Sequence, residues 1–284
     1  MLSLSIAGRF LRSAPGQTAL IIAGIGVGIA VQIFVGSLIS SLQDDLVQST
    51  VGSSPHITLL PDDAEQLSAS LVDDASGQPE VTTAIPVRRM SGLFVDGDES
   101  TPLSVTGGEA DDIDLVYGIS ERIVEGEFAL DDGQILVGSS FADDAGVAVG
   151  DDLELVLPNG AVAAYTVAGT FDLGAAAAND RLAFLDPNAV AEALGLSDDE
   201  YSAIEIQVAD VFTSTEVGER LRSPGVEVVD WQAENEELLS GLAAQSGSSL
   251  MIQAFVLVAV ALGIASTLAI SAVQKTRQIG ILKA

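Results

Sequence analysis

The chain has 284 residues, 48% of them apolar, and a formal charge of −30 from 41 acidic and 11 basic residues. Its mean hydropathy of +0.42 is too high for an ordinary soluble domain, and so large a negative charge excludes nucleic acid as a partner of the acidic part, because like charges repel phosphate. With no cysteine and one histidine, His56, a disulfide framework, a cysteine-ligated zinc site, a thiol nucleophile and a two-histidine metal motif are all excluded.

Apolar and acidic residues occupy different places. Residues 1–43 hold no acid and two bases, Arg9 and Arg12; residues 238–284 hold no acid and three bases, Lys275, Arg277 and Lys283. Every acid lies between Asp44 and Glu237, so the middle carries 41 acids and six bases, a net of −35, while the ends carry +5. This is the pattern of a membrane protein: two transmembrane α-helices flanking an α+β extracytoplasmic domain.

In chain order, residues 1–14 read as a cytoplasmic amphipathic helix, with Leu4, Ala7 and Leu11 on one face. Residues 15–43 read as transmembrane helix 1. The uncharged stretch 13–43 exceeds the ~20 residues needed to cross ~30 Å of hydrocarbon, and Pro15 sits near its start, where a missing N–H costs little. A cleaved signal peptide fits poorly, since the apolar run is long and no Ala-x-Ala site follows. Gly24 and Gly28 form a small-xxx-small face suited to helix–helix contact in lipid.

Residues 44–240 form the acidic α+β domain. Strands are expected at His56–Leu60, Thr82–Arg88, Gly92–Val95, Leu103–Gly107, Gln134–Val137, Leu153–Leu157, Ala163–Phe171, Arg181–Phe184, Ile204–Val208 and Val226–Val229. Pro158-Asn159-Gly160 makes a hairpin of Leu153–Leu157 and Ala163–Phe171. Asp186-Pro187 starts a helix that Gly195 closes, and a second helix runs about Ser214–Arg222 before Pro224-Gly225. From Trp231 a helical pattern leads toward the second span. His56 reads as a strand or surface residue and Trp231 as a packing residue. Acid pairs such as Asp62-Asp63, Asp73-Asp74 and Asp111-Asp112 read as solvated surface, because no twelve-residue calcium loop of the Asp-x-Asp-x-Asp-Gly type is present.

Residues 241–274 are transmembrane helix 2 with its lead-in, and small residues recur at Ala259, Gly263 and Thr267. Residues 275–284 begin a cytoplasmic segment. Basic flanks stay inside, so both termini are expected in the cytoplasm and the central domain outside a multi-pass cell-membrane protein.

Two groups of residues carry a family resemblance. Gly150, Asp151, Val167, Gly169, Phe171, Asp180 and Asp186 hold the positions of a glycine-led hairpin, a V-x-G-x-F strand and the aspartates after it. Lys275, Arg277, Gln278, Ile279, Gly280, Ile281, Leu282 and Lys283 match a K-x-R-(E/Q)-I-G-I-L-(K/R)-A segment. The chain resembles ABC transporter permeases of the MacB/FtsX/LolC type over nearly its whole length. The resemblance implies a permease subunit, with partners in a cytoplasmic ABC ATPase docked on residues 275–283, in the lipid bilayer, and in a second permease subunit forming a homodimer or heterodimer. It implies export or extraction of lipoprotein, lipid, peptide or drug cargo. Alternatives are an FtsX-like regulator of a cell-wall enzyme and a two-span sensor or adhesion protein. Members of that family continue with two further spans, so the end at Ala284 reads as a shortened reading frame, a cut-down expression product or a split permease.

No catalytic residue, cofactor or metal ligand is expected. A phosphate-binding Gly-Lys-Ser/Thr loop is absent, since the only lysines follow Gln274 and Leu282. The excess of 24 Asp and 17 Glu over two Lys resembles the surfaces of proteins from salt-loving archaea, where multimolar salt screens repulsion within ~3 Å.

Overall fold

The computed structural model describes residues 15–62, 66–97, 99–197 and 199–281. The amphipathic helix expected over residues 1–14 lies outside the described residues, as do Asp63, Leu282 and Lys283. The chain divides into two units, one of residues 1–45 with 237–284 and the other of Leu46–Glu236.

In the first unit, two long helices carry the apolar stretches. Helix α1, Pro15–Val51, and the last helix of the chain, Glu236–Ile281, contain segments long and apolar enough to cross a membrane, at Ile22–Val47 and Glu236–Ser266. Phe34 and Phe255 are 68% and 73% exposed, an arrangement water would penalise and hydrocarbon favours. Within the unit the helices run antiparallel along a seam. A Cβ at Gly28 would meet Val260, one at Gly36 would meet Gln253, and Gln43 donates through Nε2 to the Leu242 carbonyl (3.2 Å) and the Ser246 hydroxyl (2.9 Å). Steps of seven or eight residues on one helix answer steps of seven on the other, the repeat that keeps a seam in register.

The second unit contains β1 (Ile57–Pro61), β2 (Leu67–Ser68), α2 (Ser70–Ser76), β3 (Val81–Asp96), β4 (Glu99–Gly107), α3 (Ala110–Tyr117) and β5 (Ile123–Gly126). It continues with β6 (Gln134–Gly138), α4 (Ser139–Ala145), β7 (Asp152–Val156), β8 (Val162–Phe171), α5 (Ala176–Arg181), β9 (Leu182–Leu185) and α6 (Pro187–Leu194). Then come β10 (Glu200–Tyr201), β11 (Ala203–Val208), α7 (Ser214–Leu221), β12 (Val226–Asp230) and α8 (Trp231–Glu234), before α9 (Glu236–Ile281).

Strand β3 organises this unit. Its first half pairs with β11 in an antiparallel sheet ordered β12-β1-β11-β3. Its second half pairs with β4 and touches β7. The pairs β3–β4, β4–β9, β9–β6, β6–β8, β8–β7 and β7–β3 return to their start, so these strands close a six-stranded ring. Alternation along each strand fills the ring with Leu103, Val105, Ile135, Val137, Leu153, Leu155, Val167 and Leu185. Closure leaves none of these six strands at an edge, and β5 adds to β8 outside the ring. On the four-stranded half, Ile57, Leu59, Ile204 and Ile206 pack under α2 and α7, while Ile85, Val87 and Ala203 on the opposite face belong to the cluster of Ile113, Val116 and Tyr117 from α3.

The strands expected separately at Thr82–Arg88 and Gly92–Val95 are one strand of 16 residues. Gly92 does not end it: its missing Cβ faces the ring interior, where Leu155 and Val105 would come within 3.3–3.4 Å of one. The hairpin about Pro158-Asn159-Gly160 forms, with Val156 opposite Val162. Asp186 accepts from the Asn188 and Ala189 amides at the start of α6, and Gly195 ends it in the left-handed region at φ 70°. The helical run from Trp231 is broken at Asn235, whose side chain donates to the Trp231 carbonyl (2.8 Å).

Candidate functional site

The docking residues expected from sequence fall at the end of α9. Lys275, Arg277, Gln278, Ile279, Gly280 and Ile281 are helical there. Of the helix-packing residues, Gly28 sits against Val260, while a Cβ at Gly24 would meet nothing within 4 Å among the described residues, Ala259 is exposed, and Gly263 lies in α9. Thr267 lies in α9.

Between α1 and β1, His56 lies one residue before the strand expected to contain it, and it is buried, not at the surface. It is 8% exposed, and its Nδ1 accepts from the Val208 amide at 3.0 Å, while the Val51 carbonyl is a second hydrogen-bond partner of the residue. Its own amide donates to the Ile206 carbonyl (2.9 Å), and its carbonyl accepts from the Trp231 amide (3.1 Å). One residue thus ties the last turn of α1, strand β11 and the start of α8 together. Gln207 adds bonds to the Ser54 and Val116 carbonyls, and Trp231 donates through Nε1 to the Val211 carbonyl (2.7 Å). Asp230 caps α8 and accepts from the hydroxyls of Ser214 and Thr215.

An acceptor Nδ1 requires neutral imidazole, and burial pushes the His56 pKa below its ordinary 6.5, against the upward pull of the Val51 carbonyl. The unfolded chain therefore binds the extra proton first. The contribution of neutral His56 is full above about pH 6.5 and is lost as pH falls below it. In molar salt, the melting temperature should fall between about pH 6.5 and 5, above the ordinary carboxylate range. His56→Gln, which keeps an acceptor for Val208, should flatten that slope. An identical slope in wild type and variant would contradict the assignment.

At the point where β3 changes partners, three long-range residues meet. Glu205 on β11 is fully buried, and its Oε1 accepts from Arg89 Nε (3.0 Å), Arg89 Nη2 (2.5 Å) and the Tyr117 hydroxyl (2.9 Å). Its Oε2 has no hydrogen-bond partner among the described residues. Burial works against the Arg89 charge, but Glu205 and Tyr117 outweigh it and raise its pKa; burial and the Glu205 charge raise that of Tyr117. The triad links α3, the four-stranded sheet and the ring at one carboxylate oxygen. Nothing local in sequence marks Arg89 or Tyr117.

The glycine of the V-x-G-x-F strand has a steric reason. Gly169 lies opposite Gly126 in the β5–β8 pair, and a Cβ on it would sit 2.8–2.9 Å from the Glu127 and Glu125 carbonyl oxygens. Gly150 donates to the Val167 carbonyl, and Asp151 accepts from the Ala148 amide, fixing the turn into β7. After the strand, Asn179, beside the expected Asp180, accepts from the Leu173 amide and donates to Asp172. That bond and the Gly174 amide hold the Asp172 carboxyl below its ordinary pKa, the Gly174 amide contributing most.

These features define a mixed α/β domain of periplasmic type, flanked by two helices able to cross a membrane. Residues 18–223 match the MacB-like periplasmic core domain, and the chain belongs to that family, a family of ABC transporter permease components. No curated protein matches the chain. Solved structures similar to it include the extracellular domain of the noncanonic ABC-type transporter YknZ from Gram-positive bacteria, at 12% identity and a TM-score of 0.41, covering 62% of this chain and 100% of that one. Another is the periplasmic region of MacB from Actinobacillus actinomycetemcomitans, at 13% identity and a TM-score of 0.43, covering 68% and 95%.

Proposed function

We propose that the chain is the transmembrane permease subunit of an ABC transporter, coupling a separate cytoplasmic ATPase to its outer domain for export or extraction of lipoprotein, lipid, peptide or drug cargo. The observation that carries this reading is a MacB-like periplasmic core domain between two membrane-length helices whose outer flanks are basic. Residues 275–283 are the ATPase contact, and ATP hydrolysis belongs to the partner subunit. The small-residue faces at Gly24 and Gly263 suit pairing with a second permease subunit, identical or homologous.

Both termini are cytoplasmic in this reading, and residues 44–240 are outside. The grounds are the five flanking bases and the confinement of all acids to the middle. The absence of native cysteine allows a direct test. Cysteine at Ser100 should react with an impermeant maleimide in intact cells, and cysteine at Ser3 should react only after the membrane is opened. Reversed labelling would overturn the orientation.

The outer domain is also read as salt-requiring, since a net of −35 repels itself when unscreened. Its melting temperature should fall steeply as KCl is lowered from molar to ~0.1 M. Equal melting at both concentrations would remove the halophilic reading and leave the permease reading intact.

A further inference from the structure

In the β3–β4 pair, Ser91 lies opposite Ser104 and Arg89 opposite Thr106. Met90, Leu103 and Val105 fill the ring, so alternation turns Arg89, Ser91, Ser104 and Thr106 to its outer face. On that face a cleft of about 380 Å³ is lined by Arg89, Ser91, Pro102, Ser104 and Arg181, the last residue of α5. Two guanidinium groups and two hydroxyls thus converge in a domain whose net charge is −35.

Three observations set this cleft apart. Arg89 is held in place by its two bonds to the buried Glu205, yet its side chain is still 31% exposed and lines the cleft. A side chain fixed beforehand loses little rotamer freedom on binding. Second, five of the six arginines between residues 46 and 236 have partners. Arg88 donates to the Glu200 carbonyl and lies over the Tyr201 ring, Arg89 and Arg122 bond Glu205 and the Leu173 carbonyl, and Arg220 and Arg222 pair with glutamates. Arg181 forms no ion pair among the described residues. Third, Thr106 is fully buried and its Oγ1 has no hydrogen-bond partner among the described residues. Buried hydroxyls are ordinarily bonded, and this one stands beside Arg89 and two residues along β4 from Ser104, on the same face. Unmet polar capacity therefore continues inward from the cleft.

Glu205 offsets the Arg89 charge, so the excess in the cleft is close to the one positive charge of Arg181. Asp144 and Asp180 line an adjoining cleft that also holds Arg181, and they disfavour a second negative charge. A planar oxyanion of single charge, with two oxygens for a guanidinium fork, matches this arrangement, and that is a carboxylate. We propose that the cleft binds a monocarboxylate, its oxygens on Arg181 and the Ser91 and Ser104 hydroxyls, with Arg89 at the inner end and the stem of the ligand beside Pro102. The site stands apart from the ATPase contact, and its occupancy is read without turnover, so failure here leaves the permease reading standing.

The test uses the full chain in nanodiscs of neutral lipid at molar KCl, where diffuse repulsion from the acidic surface is screened within ~3 Å and chloride is constant in every arm. Saturation-transfer NMR follows butyrate against protein-loaded and empty discs, with butyramide as the uncharged match. Butyrate should saturate a site, and butyramide should bind about ten-fold or more weakly, the equivalent of one hydrogen bond to a charged group. Acetyl-trialanine with a free C-terminus carries the same group on a chain end. Whichever of the two carboxylates binds tighter names the source, solute or chain end. Arg181→Gln, at an exposed position, should weaken the carboxylates by about ten-fold, whereas Arg222→Gln, an exposed arginine elsewhere, should leave binding unchanged. Butyrate should also slow the modification of Arg181 by phenylglyoxal, read by mass spectrometry, and leave that of Arg222 unaltered. The proposal is overturned if neither carboxylate gives saturable transfer above that of empty discs, if butyramide binds as well as butyrate, if Arg181→Gln keeps wild-type affinity, or if Arg222→Gln weakens binding equally.

Discussion

Arg89→Met is expected to destabilise the outer domain by about 3–5 kcal/mol, a third or more of the stability of a typical domain. The reason is Glu205. Its carboxylate is fully buried, receives two hydrogen bonds from the Arg89 guanidinium on Oε1, and has no partner on Oε2 among the described residues. Methionine conserves most of the volume and removes both bonds and the compensating charge, leaving only the Tyr117 hydroxyl.

The converse change should cost less. Glu205→Gln strands Arg89, but the Arg89 side chain is 31% exposed and can turn to water, so about 1–2 kcal/mol is expected. The double variant Arg89→Met, Glu205→Leu should recover most of the loss, since well-packed apolar residues can replace a buried ion pair. Chemical denaturation of the full chain in molar KCl, followed by the fluorescence of Trp231, gives all three values. A loss under about 1 kcal/mol for Arg89→Met, or equal losses for the two single variants, would show that the pair is not the joint between ring and sheet. Hydrogen exchange should place the first extra opening in Arg89→Met along β3, where it changes partner from β11 to β4.

Much of this architecture was legible because its signals are local. An uncharged run longer than a bilayer reads as a span wherever it occurs. Pro158-Asn159-Gly160 sets the β7–β8 turn within five residues, and Asp186, Pro187 and Gly195 bound α6 through contacts no longer than a helical turn. Strand β3 was misjudged at Arg89-Met90-Ser91 because its continuity depends on two partners distant in sequence, β11 and β4. Short elements escaped as well. Helix α3 buries only Ile113, Val116 and Tyr117 among several acids, and β5 has four residues, one a glycine. The acid pair Asp111-Asp112 proves to lie in the first turn of α3, where negative charge meets the helix dipole favourably.

The residues that join the halves were not legible. Arg89, Tyr117 and Glu205 come from three elements, the first two 28 positions apart and the last two 88 apart, and no spacing rule connects a strand arginine to a glutamate 116 positions later. A charged residue in an otherwise apolar strand, Ala203-Ile204-Glu205-Ile206, was the one available signal, since a carboxylate between buried positions needs a cation. His56 was underread for a similar reason. Its importance comes from the Val208 amide, 152 residues away, which makes the residue before β1 a tie between the last turn of α1 and β11.

Coupling to a separate ATPase is tested most directly by purifying the membrane-inserted chain from the cells that make it and measuring the nucleotide hydrolysis that comes with it. Residues 275–283 carry Ile279, Ile281 and Leu282 among Lys275, Arg277 and Lys283, an apolar set within a basic frame that suits a helix-in-groove contact with an acidic rim. The competing role, anchoring at the inner lipid surface, needs only the charges. Ile279→Ser with Leu282→Ser keeps every charge, so it separates the two. The wild-type chain should bring down an ABC ATPase and its activity. The double variant should insert to the same level and lose at least about ten-fold of the bound ATPase, the effect of removing two buried apolar anchors. Wild-type recovery of the ATPase by the double variant, or an inserted wild-type chain that brings down none, would contradict the coupling.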